Sequence, residues 1–115
     1  MEAKKEFVKY EQALALKKLG FDEPCLMYYD YSWTLVESGV YECKAPIYQQ
    51  AFRWFREKYK LDSSIALVAN GYGFYVHKDR NYTNNGESYG FHITYEEAEQ
   101  ACLNKLIEIV KNKQD

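Results

Sequence analysis

Tyr75, His77 and His92 are the residues of this 115-residue chain whose types and spacing could bring proton-transfer chemistry together. Their proximity depends on strand pairing. If Lys78 lies opposite Tyr89 in an antiparallel pair, Tyr75 faces His92, and His77 lies diagonally from it within reach of long side chains. Imidazoles titrate near neutrality, so the trio could perform general acid–base work, as in metal-independent RNA cleavage, or hold a metal with one further ligand. Two candidate ligands make a weak metal site. Imidazoles packed among aromatic rings under the N-terminal segment account for the same residues without chemistry, and that reading is preferred. The chain also has no P-loop, no Gly-rich dinucleotide turn, no HExxH and no Cys-x-x-Cys. No enzyme, metal or cofactor is expected.

A second set is basic. Arg53, Arg56 and Lys60 fall at i, i+3 and i+7 of a helical segment, a stripe that could meet phosphate beside neighbouring aromatics. A solvated face paired with Glu57 is the simpler account. The candidate binding residues are therefore Arg53, Arg56, Lys60, Tyr75, His77 and His92. A third set, Glu96, Glu97 and Glu99, lies in the first turns of a helix, where carboxylates complement the positive end of the dipole. The alternative is an acidic patch for a basic partner, although a net charge of −2 argues against strong imitation of DNA.

Composition narrows the classes further. Charged residues make up 28% and nearly cancel, so no global field steers the chain to nucleic acid or an acidic membrane. Aromatics reach 17%, with 12 tyrosines, an excess that fits an interaction surface as well as it fits padding of a sheet. No run approaches a membrane span, and Met1-Glu2-Ala3-Lys4-Lys5-Glu6 lacks the apolar segment of a signal peptide. A cytoplasmic protein is expected. Cys25, Cys43 and Cys102 form an odd, widely spaced set that suits free thiols. Asn81-Tyr82-Thr83 matches a glycosylation sequon, which carries no meaning without secretion.

The elements that must position these residues follow from periodicity. Asn70-Gly71 between two alternating runs predicts a hairpin; with Ala69 and Tyr72 closing it, Leu67 opposes Phe74 and Ile65 opposes Val76. A third strand, Tyr89 to Ile93, follows a polar loop from Asp79 to Ser88 and adds Phe91 and Ile93 to that face. Leu67, Phe74, Val76, Phe91 and Ile93 are expected to be buried. The other face, with Ala66, Val68, Tyr75, His77 and His92, is too apolar for open solvent and is expected to be covered. Upstream, residues 3–19 predict a helix with Phe7, Tyr10 and Leu14 on one side, ended by Gly20-Phe21 in a Schellman pattern. Alternation from Cys25 to Leu35 predicts a strand interrupted near Asp30, then a turn at Ser38-Gly39 and a return strand, Val40 to Cys43. Ala45-Pro46 opens a second helix with an apolar face of Ile47, Tyr48, Ala51, Phe52, Trp54, Phe55 and Tyr59. Thr94-Tyr95-Glu96-Glu97 is a capping box for a last helix that buries Ala98, Ala101, Cys102, Leu106, Ile109 and Val110.

From Ala45 onward the order helix, three antiparallel strands, helix resembles the double-stranded RNA-binding domain over about 70 residues. The closest parts are Ala45-Pro46 and the step Gly90-Phe91-His92-Ile93-Thr94-Tyr95-Glu96-Glu97-Ala98-Glu99. RNA-binding members of that family carry lysines at the start of the last helix. Here the positions read Glu96, Glu97 and Glu99, which implies the fold without its usual ligand. The segments Ala45 to Tyr59 and Tyr95 to Lys111, with Leu19 to Cys25, are also similar to small uncharacterised phage and prophage proteins of gut bacteria. That likeness implies a mobile-element setting in a bacterial cytoplasm, where an acidic patch could occupy a host nuclease.

The resulting expectation is an α+β chain of one domain, 1–115. Residues 1–43 form a helix and β-hairpin extension, and 44–115 an α-β-β-β-α core with an antiparallel sheet packed on two helices. Its expected role is a non-enzymatic protein-interaction module acting through an aromatic-rich surface, on a protein partner or a second copy as a homodimer. Nucleic-acid or nucleotide binding, in the service of countering host defence, is the alternative; a membrane is not expected as a partner.

Overall fold

The computed structural model describes residues 5–78 and 87–114. It is α+β, with three helices and two three-stranded antiparallel sheets. Two compact units divide it, Met1–Gln50 and Ala51–Asp115. Their boundary lies inside the second helix. The polar loop and the sequon at Asn81 fall outside the described residues.

In the first unit, helix α1 spans Tyr10–Lys18 and starts later than expected. The chain before it is extended: Phe7 bridges Ile47, and Val8 N donates to the Pro46 carbonyl at 3.0 Å. Backbone groups committed to that pairing cannot also begin a helix. Gln12 folds back to accept from Lys9 N at 3.1 Å and also accepts from the Tyr48 hydroxyl at 2.8 Å, which satisfies the oxygen of a buried amide. The buried side of α1 is Gln12, Ala13 and Leu16, displaced from the expected Phe7, Tyr10 and Leu14. The Schellman end is as expected. Gly20 has φ 101°, Gly20 N donates to the Lys17 carbonyl, Phe21 N reaches the Leu16 carbonyl at 3.0 Å, and Phe21 is buried.

The first sheet has the order β2-β1-β3, from β1 (Met27–Tyr29), β2 (Leu35–Val36) and β3 (Cys43–Ala45). The hairpin turn sits at Asp30 to Thr34, so the expected long strand is two short ones. Tyr28 pairs with Val36 on one side and Lys44 on the other. The return strand starts at Cys43, where the expected one ended.

Helix α2 spans Tyr48–Tyr59, with buried Pro46 two residues ahead of it. Tyr48, Ala51, Trp54 and Phe55 are buried, and Phe52 and Tyr59 half-buried, as the apolar spacing predicts. In the second unit, β4 (Leu61–Val68), β5 (Gly71–Lys78) and β6 (Glu87–His92) form a meander, and α3 (Tyr95–Gln114) packs on β4 and β5. The capping box forms: Glu97 N donates to Thr94 Oγ1 at 3.1 Å, and Glu97 Oε1 accepts from Thr94 N and Ile93 N. The buried stripe of α3 is Ala98, Cys102, Leu103, Leu106, Ile107 and Val110, with Leu103 and Ile107 in place of Ala101 and Ile109.

Register departs from expectation in two ways. At the hairpin Val68 pairs with Gly71, so Leu67 meets Tyr72 and Ile65 meets Phe74. That shift moves each partner by two residues and leaves the faces unchanged. The second departure does not. Tyr72 pairs with His92, but Phe74 pairs with Tyr89, so β6 carries one extra residue opposite Gly73. A bulge of this kind exchanges the two faces beyond it. His92 thus shares the face of Phe74 and Val76, and Phe91 goes to the other. Phe74 and Val76 are buried, whereas Leu67, Phe91 and Ile93 are 76%, 53% and 74% exposed, contrary to expectation. Leu67 lies at the hairpin end, and Ile93 lies past the last paired residue. The second face is not sealed: Ala66, Val68, Tyr75 and His77 are half-buried and Ser64 is exposed.

Candidate interaction surface

The β1–β2 turn is built by Asp30. Its Oδ1 accepts from Ser32 N at 2.8 Å and Thr34 N at 3.0 Å, its own N donates to the Thr34 carbonyl, and Trp33 N donates to the Asp30 carbonyl. These bonds enclose a three-residue loop whose last position requires a left-handed backbone, usually supplied by glycine. Here it is Trp33, with φ 66°. A bulky residue there costs about 1–2 kcal/mol. The side chain is 67% exposed, and neighbouring Tyr31 is 66% exposed.

Trp33 is held from one side. Its ring lies 5.6 Å from that of Tyr10, and Tyr10 meets Tyr29 edge to face at 5.7 Å. Both phenols are anchored: Tyr10 donates to Glu42 Oε1 at 2.8 Å and Tyr29 to the Val8 carbonyl at 2.7 Å. The bond to Glu42 raises the Tyr10 pKa above its usual value, and burial raises that of Tyr29. Across the sheet, Tyr28 and Tyr41 stack at 4.3 Å, near exposed Val40. Tyr28 and Tyr29 are consecutive in β1 and lie on opposite faces, so Tyr10 and Tyr29 alone brace the turn from which Trp33 and Tyr31 project.

Two hollows lie in the same unit. A cleft of about 310 Å³ is lined by Lys17, Asp22, Tyr41, Glu42 and Lys44 over Cys43. Its charged groups are engaged: Lys44 Nζ meets Asp22 Oδ1 at 3.1 Å, and Lys17 Nζ donates to the Glu42 carbonyl at 2.7 Å. The second, about 200 Å³, is apolar, between Phe7, Pro24, Leu26, Ala45 and Ile47. Cys25 lines it, but burial pushes this thiol up to about 11, so it is a poor nucleophile near neutrality.

The other candidates are distributed differently from their sequence pattern. Arg53 and Arg56 are exposed on α2, with Arg56 Nε 4.0 Å from Asp62 Oδ1. Lys60 lies past the end of the helix in a left-handed conformation, φ 58°, and its Nζ turns to the Glu57 carbonyl. The three therefore do not form one helical stripe. Tyr75 and His77 occupy one sheet face, and His92 the other, stacked on Phe74 at 6.2 Å. The structure does not bring the trio together. Among the described residues no group of three or more His, Cys, Asp or Glu could hold a metal ion, and no helix is long and apolar enough to cross a membrane.

Trp33 and Tyr31 were not singled out by sequence. The legible signal was Asp30 with a polar residue two and four positions on, an Asx-turn pattern that marks a loop rather than a strand. No family model, curated protein or solved structure matches the chain.

Proposed function

We propose that the chain is a non-enzymatic protein-interaction module and that Tyr31 and Trp33 are its contact residues. The observation that carries this reading is Trp33 at φ 66°, exposed, where glycine or asparagine would be less costly. A backbone outlier in a loop braced by Tyr10 and Asp30 is a reason to look for a role of the side chain. Exposed tryptophan and tyrosine on a pre-ordered base resemble binding hot spots, because large rings desolvate much area with little loss of freedom. The setting proposed is a phage or mobile element in a bacterial cytoplasm, which rests on the segment likenesses.

The order α2, β4, β5, β6, α3 supports a double-stranded RNA-binding-like arrangement for the second unit. Nucleic acid is the less supported ligand, given the broken basic stripe and Glu96, Glu97 and Glu99 at the start of α3.

Affinity capture from bacterial host lysate tests the reading with four chains: wild type, Trp33→Asn, Tyr31→Ala, and Arg53→Glu/Arg56→Glu. Asparagine tolerates the left-handed position, and Trp33→Asn should change stability by less than about 1 kcal/mol, since relieved strain offsets the lost ring contact. The expected result is a protein retained by wild type and by the arginine variant, and lost with Trp33→Asn. Capture that Trp33→Asn and Tyr31→Ala leave unchanged, or captured nucleic acid lost with the arginine variant, would refute it.

A further inference from the structure

The turn that projects Tyr31 and Trp33 lies within a stretch of one-sided charge. From Phe21 to Cys43 the chain carries Asp22, Glu23, Asp30, Glu37 and Glu42 and no lysine or arginine. Asp22 is paired with Lys44, and Lys17 lies against the Glu42 carbonyl, so these two carboxylates are partly neutralised. Asp30 and Glu37 are not: among the described residues neither meets a cation, and Glu37 is exposed just past β2. The two oxygens of Asp30 are used unequally. Oδ1 accepts both turn N–H groups, at 2.8 and 3.0 Å, whereas Oδ2 accepts from no described residue. At the helix end that meets the turn, Lys9 and Glu11 flank Tyr10 and offset each other.

Resting on the interaction reading above, we infer that the protein segment held by Tyr31 and Trp33 is basic and presents arginine, whose guanidinium lies on the open side of the Trp33 indole and pairs with Asp30 Oδ2. Tyr10 covers one side of the indole, with centroids 5.6 Å apart and planes inclined by 37°, and Trp33 is still 67% exposed, so ring surface is left for a ligand. The face of an aromatic ring is the negative end of its quadrupole and attracts cations, that of tryptophan most strongly. The carboxylate that completes such a contact is fixed to the same turn, since Trp33 N donates to the Asp30 carbonyl at 3.0 Å. A guanidinium stacks by its plane while its edge donates to a carboxylate, a combination that an ammonium lacks. An acidic segment would bring like charge to Asp30 and Glu37. An apolar or proline-rich segment would cover Asp30 Oδ2 without supplying a donor, which is costly for a charged oxygen.

Fluorescein-labelled peptides titrated with the full chain give the test: an arginine-bearing glycine-serine peptide, and the same peptide with lysine, glutamate or proline at the arginine positions. Anisotropy should show the arginine peptide bound at least about threefold more tightly than the lysine peptide, and no binding of the glutamate peptide. Trp33→Asn should weaken the arginine peptide about tenfold. Asp30→Asn keeps an oxygen to accept from Ser32 N and Thr34 N and removes only the charge, so it should fold as wild type and weaken the same peptide about threefold or more. If Trp33→Asn does not melt cooperatively, Asp30→Asn carries the comparison. An arginine peptide bound no better than the glutamate peptide, or bound equally well by wild type and Asp30→Asn, overturns the inference. So does a lysine peptide bound as tightly, or a proline peptide bound more tightly. In each of these cases a host protein captured by wild type and lost with Trp33→Asn would leave the interaction reading standing, whereas capture indifferent to Trp33 and Tyr31 would remove both.

Discussion

Phe74 stacks on His92, with ring centroids 6.2 Å apart and planes inclined by 22°. The contact exists because the extra residue in β6 brings His92 to the face that β5 buries. Phe74 is almost fully enclosed, so Phe74→Ala is expected to cost about 3–5 kcal/mol through lost burial and a cavity. Denaturant melts of wild type, Phe74→Ala, His92→Ala and the double variant check this. Non-additivity of about 0.5 kcal/mol or more is expected for the stacked pair, and strict additivity would contradict the contact.

Gly71 shows what the bulge does on the other face. A Cβ there would lie 2.5 Å from the Phe91 ring and 2.5 Å from the His92 carbonyl oxygen. The ring could swing away, since Phe91 is half-exposed, but the carbonyl belongs to backbone. Gly71→Ala should therefore destabilise by about 1–3 kcal/mol. Adding Phe91→Ala should recover only part of that loss in urea melts; full recovery would mean the ring alone makes the contact.

Element types were legible wherever a local rule decided them. Gly20-Phe21 and Thr94 to Glu97 declare helix ends through bonds spanning a few residues, and both formed as their sequences predict. The faces of β4 and β5 were legible too, because a shift of two residues leaves alternation intact. What escaped was decided by single residues acting over distance. Bridging of Phe7 to Ile47 withdrew the first residues of α1, and one inserted residue near Gly90 and Phe91 moved His92 away from Tyr75 and His77. A bulge leaves no mark in alternation beyond the phase it changes. The candidate surface escaped for a related reason, since Tyr29, Tyr31 and Trp33 share a strand-like spacing although a turn intervenes.

The two helix termini give a paired expectation. At Gly20, φ 101° is a backbone conformation alanine reaches only with strain, so Gly20→Ala should cost about 1–2 kcal/mol. Thr94→Ala removes the acceptor for Glu97 N and should cost about 0.5–2 kcal/mol, while Thr94→Ser should restore most of it. Urea midpoints at constant slope would check both. A silent Thr94→Ala would show that the exposed bonds at this terminus exchange with water at no net cost.

Alkaline conditions should weaken the fold, and Cys102 should be one cause. Burial pushes this thiol up to about 11 from an ordinary 9.0, while the nearby Ser63 hydroxyl pulls it partly back. The folded chain thus favours the neutral thiol. Below about 9 both states are protonated and the contribution is fully present; as pH rises toward 11 the unfolded thiol ionises first, and the contribution is lost. Cys25 is raised likewise by burial, and the raised Tyr10, Tyr29, Tyr95 and Lys44 act in the same direction. Urea midpoints should therefore fall between pH 9 and 11, and the fall should be shallower in Cys102→Ala, whatever that variant loses at neutral pH through its smaller side chain. Parallel pH curves for the two chains would show that Cys102 ionises as readily in the fold as outside it, and would place the alkaline sensitivity on Cys25, the tyrosines and Lys44.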